Sequence, residues 1–100
     1  MTATMLVTLP WTPQRGSFIK INSGESVKGK SFTVTIDDMG YEGTLVVGQT
    51  FWEDPMGAGL TIYNITDTNE IVVDKKGDCP DIGSIKLKID GVDVPITLKS

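Results

Sequence analysis

"GESVKGKSFTVTIDDMG", Gly24 to Gly40, is the stretch whose reading decides the fold. It opens with a letter-for-letter match to the phosphate-binding loop G-x-x-x-x-G-K-[ST], carried by Gly24, Gly29, Lys30 and Ser31. That loop needs a helix after it. The helix N-terminus and the loop's N–H groups hold phosphate oxygens, the lysine reaches the β/γ-phosphates, and the hydroxyl binds Mg²⁺. Here Phe32, Val34 and Ile36 alternate with Ser31, Thr33 and Thr35, and a glycine follows at position 40. β-branched residues at alternate positions oppose a helix, and a period of two predicts a half-buried strand. The match is therefore read as fortuitous. Gly24 to Ser31 is expected to be a solvated loop between two strands, with no nucleotide cofactor.

The same period recurs along the chain. "TMLVTL" sets Met5, Val7 and Leu9 on one face, and "SFIKIN" sets Ile19 and Ile21 opposite Phe18 and Lys20. "YEGTLVVG" continues with Tyr41, Leu45 and Val47, and Gly43 suggests a bulge. "GLTIYNI" offers Leu60 and Ile62 on one face and Tyr63 and Ile65 on the other, before the polar turn "TDTN" and the strand "EIVVD". At the end, "SIKLKID-GVDVPITLK" reads as a hairpin around Asp90-Gly91. It would pair Ile85, Leu87 and Ile89 with Val92, Val94, Ile96 and Leu98, and place Pro95 on the polar face of an edge strand. No stretch repeats apolar residues at helical spacing. The expected fold is all-β: one domain over residues 1–100, a β-sandwich of seven to nine short antiparallel strands, with a small closed β-barrel as the alternative.

Composition removes several kinds of chemistry. The 100 residues contain no histidine and one cysteine, Cys79. That rules out Ser-His-Asp and Cys-His nucleophilic catalysis, the usual zinc sites, and an intramolecular disulfide. The net charge of −4 disfavours nucleic acid and anionic membranes as partners. "MTATMLVTLPW" has no basic region before its short apolar run, so no secretory signal is expected in these residues, and no run has membrane-helix length. "DKKGDCPD" holds Asp74, Asp78 and Asp81, but the spacing misses the calcium-loop pattern and reads as a solvated acidic turn. Asp37-Asp38 reads as another turn. The chain is not expected to be an enzyme or to carry a cofactor or metal.

Two aromatic segments stand out as contact candidates. In "TFWEDPMGAGL" the adjacent Phe51 and Trp52 are expected to point opposite ways, one into the core and one outside. Trp52 or Met56 would then anchor a contact, because aromatics and methionine are enriched at interfaces. In "LPWTPQRG", Pro10 and Pro13 bracket Trp11 and force residues 10–16 into an extended arm or crossover. Trp11 would cap the core or dock on a neighbouring subunit. These features favour a structural or decoration subunit of a larger assembly, a viral (phage) particle first, working through other protein subunits or self-association in the virion. The alternatives are an extracellular Ig-like module binding carbohydrate or protein through its end loops, and a small protein inhibitor, extracellular or cytoplasmic.

Overall fold

The computed structural model describes residues 9–22 and 24–99. Among them the predicted alternation becomes nine strands and no helix. They are β1 (Phe18–Ile21), β2 (Ser31–Ile36), β3 (Met39–Thr44), β4 (Thr50–Glu53), β5 (Gly59–Ile65), β6 (Glu70–Lys76), β7 (Ile85–Ile89), β8 (Val92–Asp93) and β9 (Ile96–Lys99). One sheet has the order β4-β5-β6-β1-β9, the other β3-β2-β7-β8, and every pairing is antiparallel. The sheets pack face to face as a sandwich. The alternation predicted for Met5 and Val7 lies outside the described residues, and Leu9 is exposed.

The inward residues are those the period selects: Ile19 and Ile21, Phe32, Val34 and Ile36, Leu60 and Ile62, Ile71 and Val73, Leu87 and Ile89. Phe51 from one sheet stacks on Phe32 from the other, with ring centroids 5.1 Å apart. Burying each such side chain contributes roughly 1.5–3 kcal/mol, so this seam is the main source of cohesion between the sheets.

Two hairpins close on two-residue turns with φ > 0 at both positions, Asp37-Asp38 and Asp90-Gly91. That geometry matches the strand twist, and aspartate and glycine tolerate it. Asp37 does more than turn the chain. Its Oδ1 accepts hydrogen bonds from the N–H groups of Gly83 and Ser84, each at 2.9 Å, and so ties the β2–β3 tip to the segment entering β7.

Four sequence expectations are corrected. Gly43 is not a bulge: it pairs in register with Phe32, whose ring covers the space a Cβ would occupy. The irregularities fall at Phe51 and Tyr63, where one strand carries an extra residue. The extra Tyr63 reverses the parity of β5, so Ile65 is buried on the same side as Leu60 and Ile62. Val47 is exposed, because β3 ends at Thr44 and the chain turns.

The last correction concerns the closing hairpin. β7 and β8 pair over only two positions, and the chain then crosses to the other sheet, where β9 pairs with β1. Pro95 sits at this crossing, where its missing N–H costs no ladder bond and its carbonyl accepts from the Asn22 N–H at 3.0 Å. Val92 is 64% exposed and is not part of the core face.

Candidate functional site

The two ends of the sandwich differ in what they present. One end carries the segment 24–30 and the turns around residues 45–49, 66–69 and 90–91. The phosphate-loop match lies here, and its backbone is already engaged. The Val27 N–H donates to Asn69 Oδ1 at 3.1 Å, the Gly29 N–H to the Leu45 carbonyl at 2.9 Å, and the Lys30 N–H to the Val27 carbonyl at 3.1 Å. Asn69 is buried with φ +61° and also donates from Nδ2 to the Glu25 carbonyl at 2.6 Å. The side chains are engaged too. Lys30 Nζ lies 3.3 Å from the Glu25 carboxylate, and Ser31 Oγ donates to Asp90 at 3.0 Å. Lys28 lies 2.7 Å from Asp67 and holds that exposed carboxyl below the usual carboxylate range, first through the hydrogen bond and then through its charge. Ser31 opens β2, a strand. The N–H groups of Val27, Gly29 and Lys30 thus point at oxygens of the protein itself.

The other end gathers the contact candidates and divides them. Phe51 and Trp52 are both buried. The expectation that one stays outside fails because the bulge lets two successive side chains of β4 turn inward. Trp52 Nε1 donates to the Met39 carbonyl at 3.0 Å, so both its ring and its polar atom are used within the fold. Trp11 is also fully buried and forms an isolated antiparallel bridge with Ile82, with backbone hydrogen bonds of 2.8 Å in both directions. The proline-bracketed segment is thus a crossover packed on its own domain, with Trp11 capping the core. Buried as they are, these three aromatics offer no surface to a partner.

Met56 is different. It is 90% exposed at the tip of the β4–β5 turn. The turn is built around Asp54. Its Oδ1 accepts from the N–H groups of Met56 at 2.8 Å and Ala58 at 3.0 Å. Its backbone N–H donates to the Ala58 carbonyl at 2.8 Å, and its carbonyl accepts from the Gly57 N–H at 2.9 Å. Gly57 supplies the φ of +86° that closes the turn. An apolar side chain is held out into solvent on a fixed frame. Beside it lies an open depression of about 410 Å³, lined by Met39, Gly40, Tyr41, Glu53, Asp54 and Pro55. Sequence reasoning selected Met56 but not Met39 or Tyr41. Their proximity depends on the corner where β3 meets β4, which no local pattern encodes.

The remaining polar clusters serve the fold. Asp81 accepts from the Thr12 hydroxyl at 2.9 Å, and Asp74 faces Arg15, whose guanidinium lies 5.2 Å from the centre of the Tyr63 ring. Glu53 pairs with Lys76. Cys79 is buried, and desolvation pushes its thiol up from its ordinary pKa, which lowers its reactivity. Among the described residues no three His, Cys, Asp or Glu side chains are placed to hold a metal ion. No known protein family, curated protein or solved structure matches the chain.

Proposed function

We propose that this protein is a non-enzymatic structural subunit that joins or decorates a larger protein assembly, a viral particle in the first instance, through contacts made by the β4–β5 turn. The observation that carries this reading is Met56, 90% exposed on a turn closed by four hydrogen bonds to Asp54. A side chain so placed adds nothing to the core. A partner that covers it gains the transfer of its apolar surface from water, without first having to order the loop. Methionine suits such a role because its unbranched thioether adapts to an irregular partner surface.

The test is sedimentation of tagged protein in extracts of its source cells. Wild type should travel with a high-mass particle. Met56→Lys should fall back to the fraction of a free 10.8 kDa chain with its melting curve unchanged. A wild type that sediments as a free chain, or a variant that stays with the particle, overturns the reading.

Strand order supports a second reading, an extracellular Ig-like recognition module. The order β3-β2-β7-β8 follows the C′-C-F-G order of an immunoglobulin sheet, and β5-β6-β1 follows D-E-B. Binding would then use the opposite end, where Val46 and Val47 are exposed. Val47→Lys, rather than Met56→Lys, would be the substitution that releases the partner.

A further inference from the structure

A sandwich has four sheet edges, and three of these are short or interrupted. β8 is two residues long, β9 is four residues entered from Pro95, and β4 is four residues broken by the bulge at Phe51. β3 is six residues long and pairs with β2 in unbroken register on one side only.

The direction of its backbone groups follows from the register. The Leu45 N–H donates to the Lys30 carbonyl at 2.9 Å, so 30 and 45 form a hydrogen-bonded pair. Antiparallel pairs alternate between bonded and non-bonded. Pairs 32/43, 34/41 and 36/39 are therefore bonded, and 31/44, 33/42 and 35/40 are not. The N–H groups of Gly40, Glu42 and Thr44, and the carbonyls of Gly40 and Glu42, point away from β2. All three residues are exposed. The Thr44 carbonyl accepts from the Val46 N–H at 2.8 Å and is not available. What remains is a ladder of donor and acceptor groups, a template for another strand.

We infer that the free edge of β3 takes up an extended segment of a partner protein by strand addition, and that this segment alternates apolar with basic residues. The inference rests on the contact reading above and names the chemistry of the partner. Its apolar half comes from Met39, Tyr41 and Pro55, which line a depression where inward side chains of an added strand would fall, and Glu53 and Asp54 on the rim of that depression add to the negative charge. Its basic half comes from charge. Glu42 is exposed on the outer face and has no ion pair among the described residues, and Asp38 lies at the adjoining turn. The lysines of this face, Lys86 and Lys88, are on β7, and β2 separates them from β3. A second copy of β3 paired about Glu42 would set two carboxylates opposite each other, which is unfavourable. A lysine or arginine there is favourable.

The probe is a synthetic peptide, acetyl-TVKVKVT-amide, titrated into the ¹⁵N-labelled protein and followed by amide shifts and hydrogen exchange. Saturable shifts and slowed exchange should appear at Gly40, Glu42 and Thr44. The glutamate version, TVEVEVT, should bind about tenfold more weakly, and Glu42→Lys should reverse that order. A peptide N-methylated at alternate residues should not bind. The inference is overturned by equal affinity of the two peptides, by full binding of the N-methylated one, by shifts centred on β9, or by no saturable shift at all. The two readings fail separately. If the peptide pairs with β3 but Met56→Lys stays on the particle, only the turn contact is lost. If Met56→Lys is released but no peptide pairs, only the edge inference is lost.

Discussion

The indole N–H of Trp52 donates to the carbonyl of Met39 at 3.0 Å, and so one side chain of β4 ties the edge of its own sheet to the first residue of an edge strand in the other. The bond lies at the corner where the surfaces proposed for contact meet. It makes Trp52 a support for that surface and not part of it. Removing the N–H while keeping a ring, Trp52→Phe, is expected to cost about 1–2 kcal/mol, from the lost hydrogen bond and a small void. Trp52→Ala should cost about 3–5 kcal/mol, the range for a core aromatic. Urea denaturation of the two variants checks the ranking, and a Trp52→Ala midpoint equal to wild type would return Trp52 to the surface.

Gly59 and Gly24 should respond in opposite ways to the same change. A Cβ at Gly59 would collide with the backbone of Trp52 and Glu53, which lies at close range where Gly59 pairs with Glu53 beside the bulge. Gly59→Ala is expected to cost more than about 4 kcal/mol or to prevent folding. A Cβ at Gly24 meets nothing within 4 Å, and Gly24→Ala should stay within about 0.5 kcal/mol of wild type. Thermal melts side by side decide it. Calorimetry with Mg²⁺-ATP should show no heat above dilution for either wild type or Gly24→Ala, since the Val27, Gly29 and Lys30 amides are already bonded within the protein.

Asn69 holds the segment 24–30 against the β5–β6 turn through Val27 and Glu25. Asn69→Ala removes both hydrogen bonds and places alanine at φ +61°. A cost of about 2–3 kcal/mol is expected, mostly from the buried Val27 N–H left without its acceptor. Asn69→Gly relieves the backbone part only and should be intermediate. Hydrogen exchange should speed up at Val27 in both variants. Unchanged protection there would mean that the loop is held by something else.

Cys79 gives a pH-dependent prediction. Its folded pKa is raised, first by desolvation, so the protonated thiol is favoured in the native state. The sign follows: its contribution to stability is fully present below the unfolded thiol pKa and is lost as pH rises through the folded value. Cys79→Ser should flatten the alkaline limb of a plot of stability against pH. A disulfide reagent at pH 8 should label the native thiol at least about tenfold more slowly than the urea-unfolded one, because burial lowers both access and thiolate fraction. Equal rates would show that the thiol is open.

Much of the architecture is local in origin. The alternation in "SFTVTID" and "SFIKIN" names the buried faces of β2 and β1, "EIVVD" marks β6 as a strand, and Asp-Asp and Asp-Gly name the tight turns. These signals are readable because strand periodicity and turn chemistry act over two to four residues. The same alternation, running straight through Ser31, separated the phosphate-loop match from a nucleotide-binding fold. With no histidine and one cysteine, these 100 residues cannot build a Ser-His-Asp triad or a zinc site of His and Cys ligands, and no structure is needed to see it.

Tertiary structure decided the rest. Phe51 and Trp52 are adjacent, and in a regular strand only one of them could be inside. The bulge that admits both depends on how β4 meets β5, a pairing of segments distant along the chain. "GVDVPITLK" reads as one strand, yet it divides at Pro95 because β1 offers a free edge in the opposite sheet, and burying Leu98 there outweighs extending a two-residue pairing with β7. Met39, Tyr41 and Pro55 line one depression only because the two sheets close at the β3–β4 corner. Local sequence specifies which side of a strand is apolar. Which strands become neighbours, and so which exposed residues come to lie together, follows from the packing of the whole core.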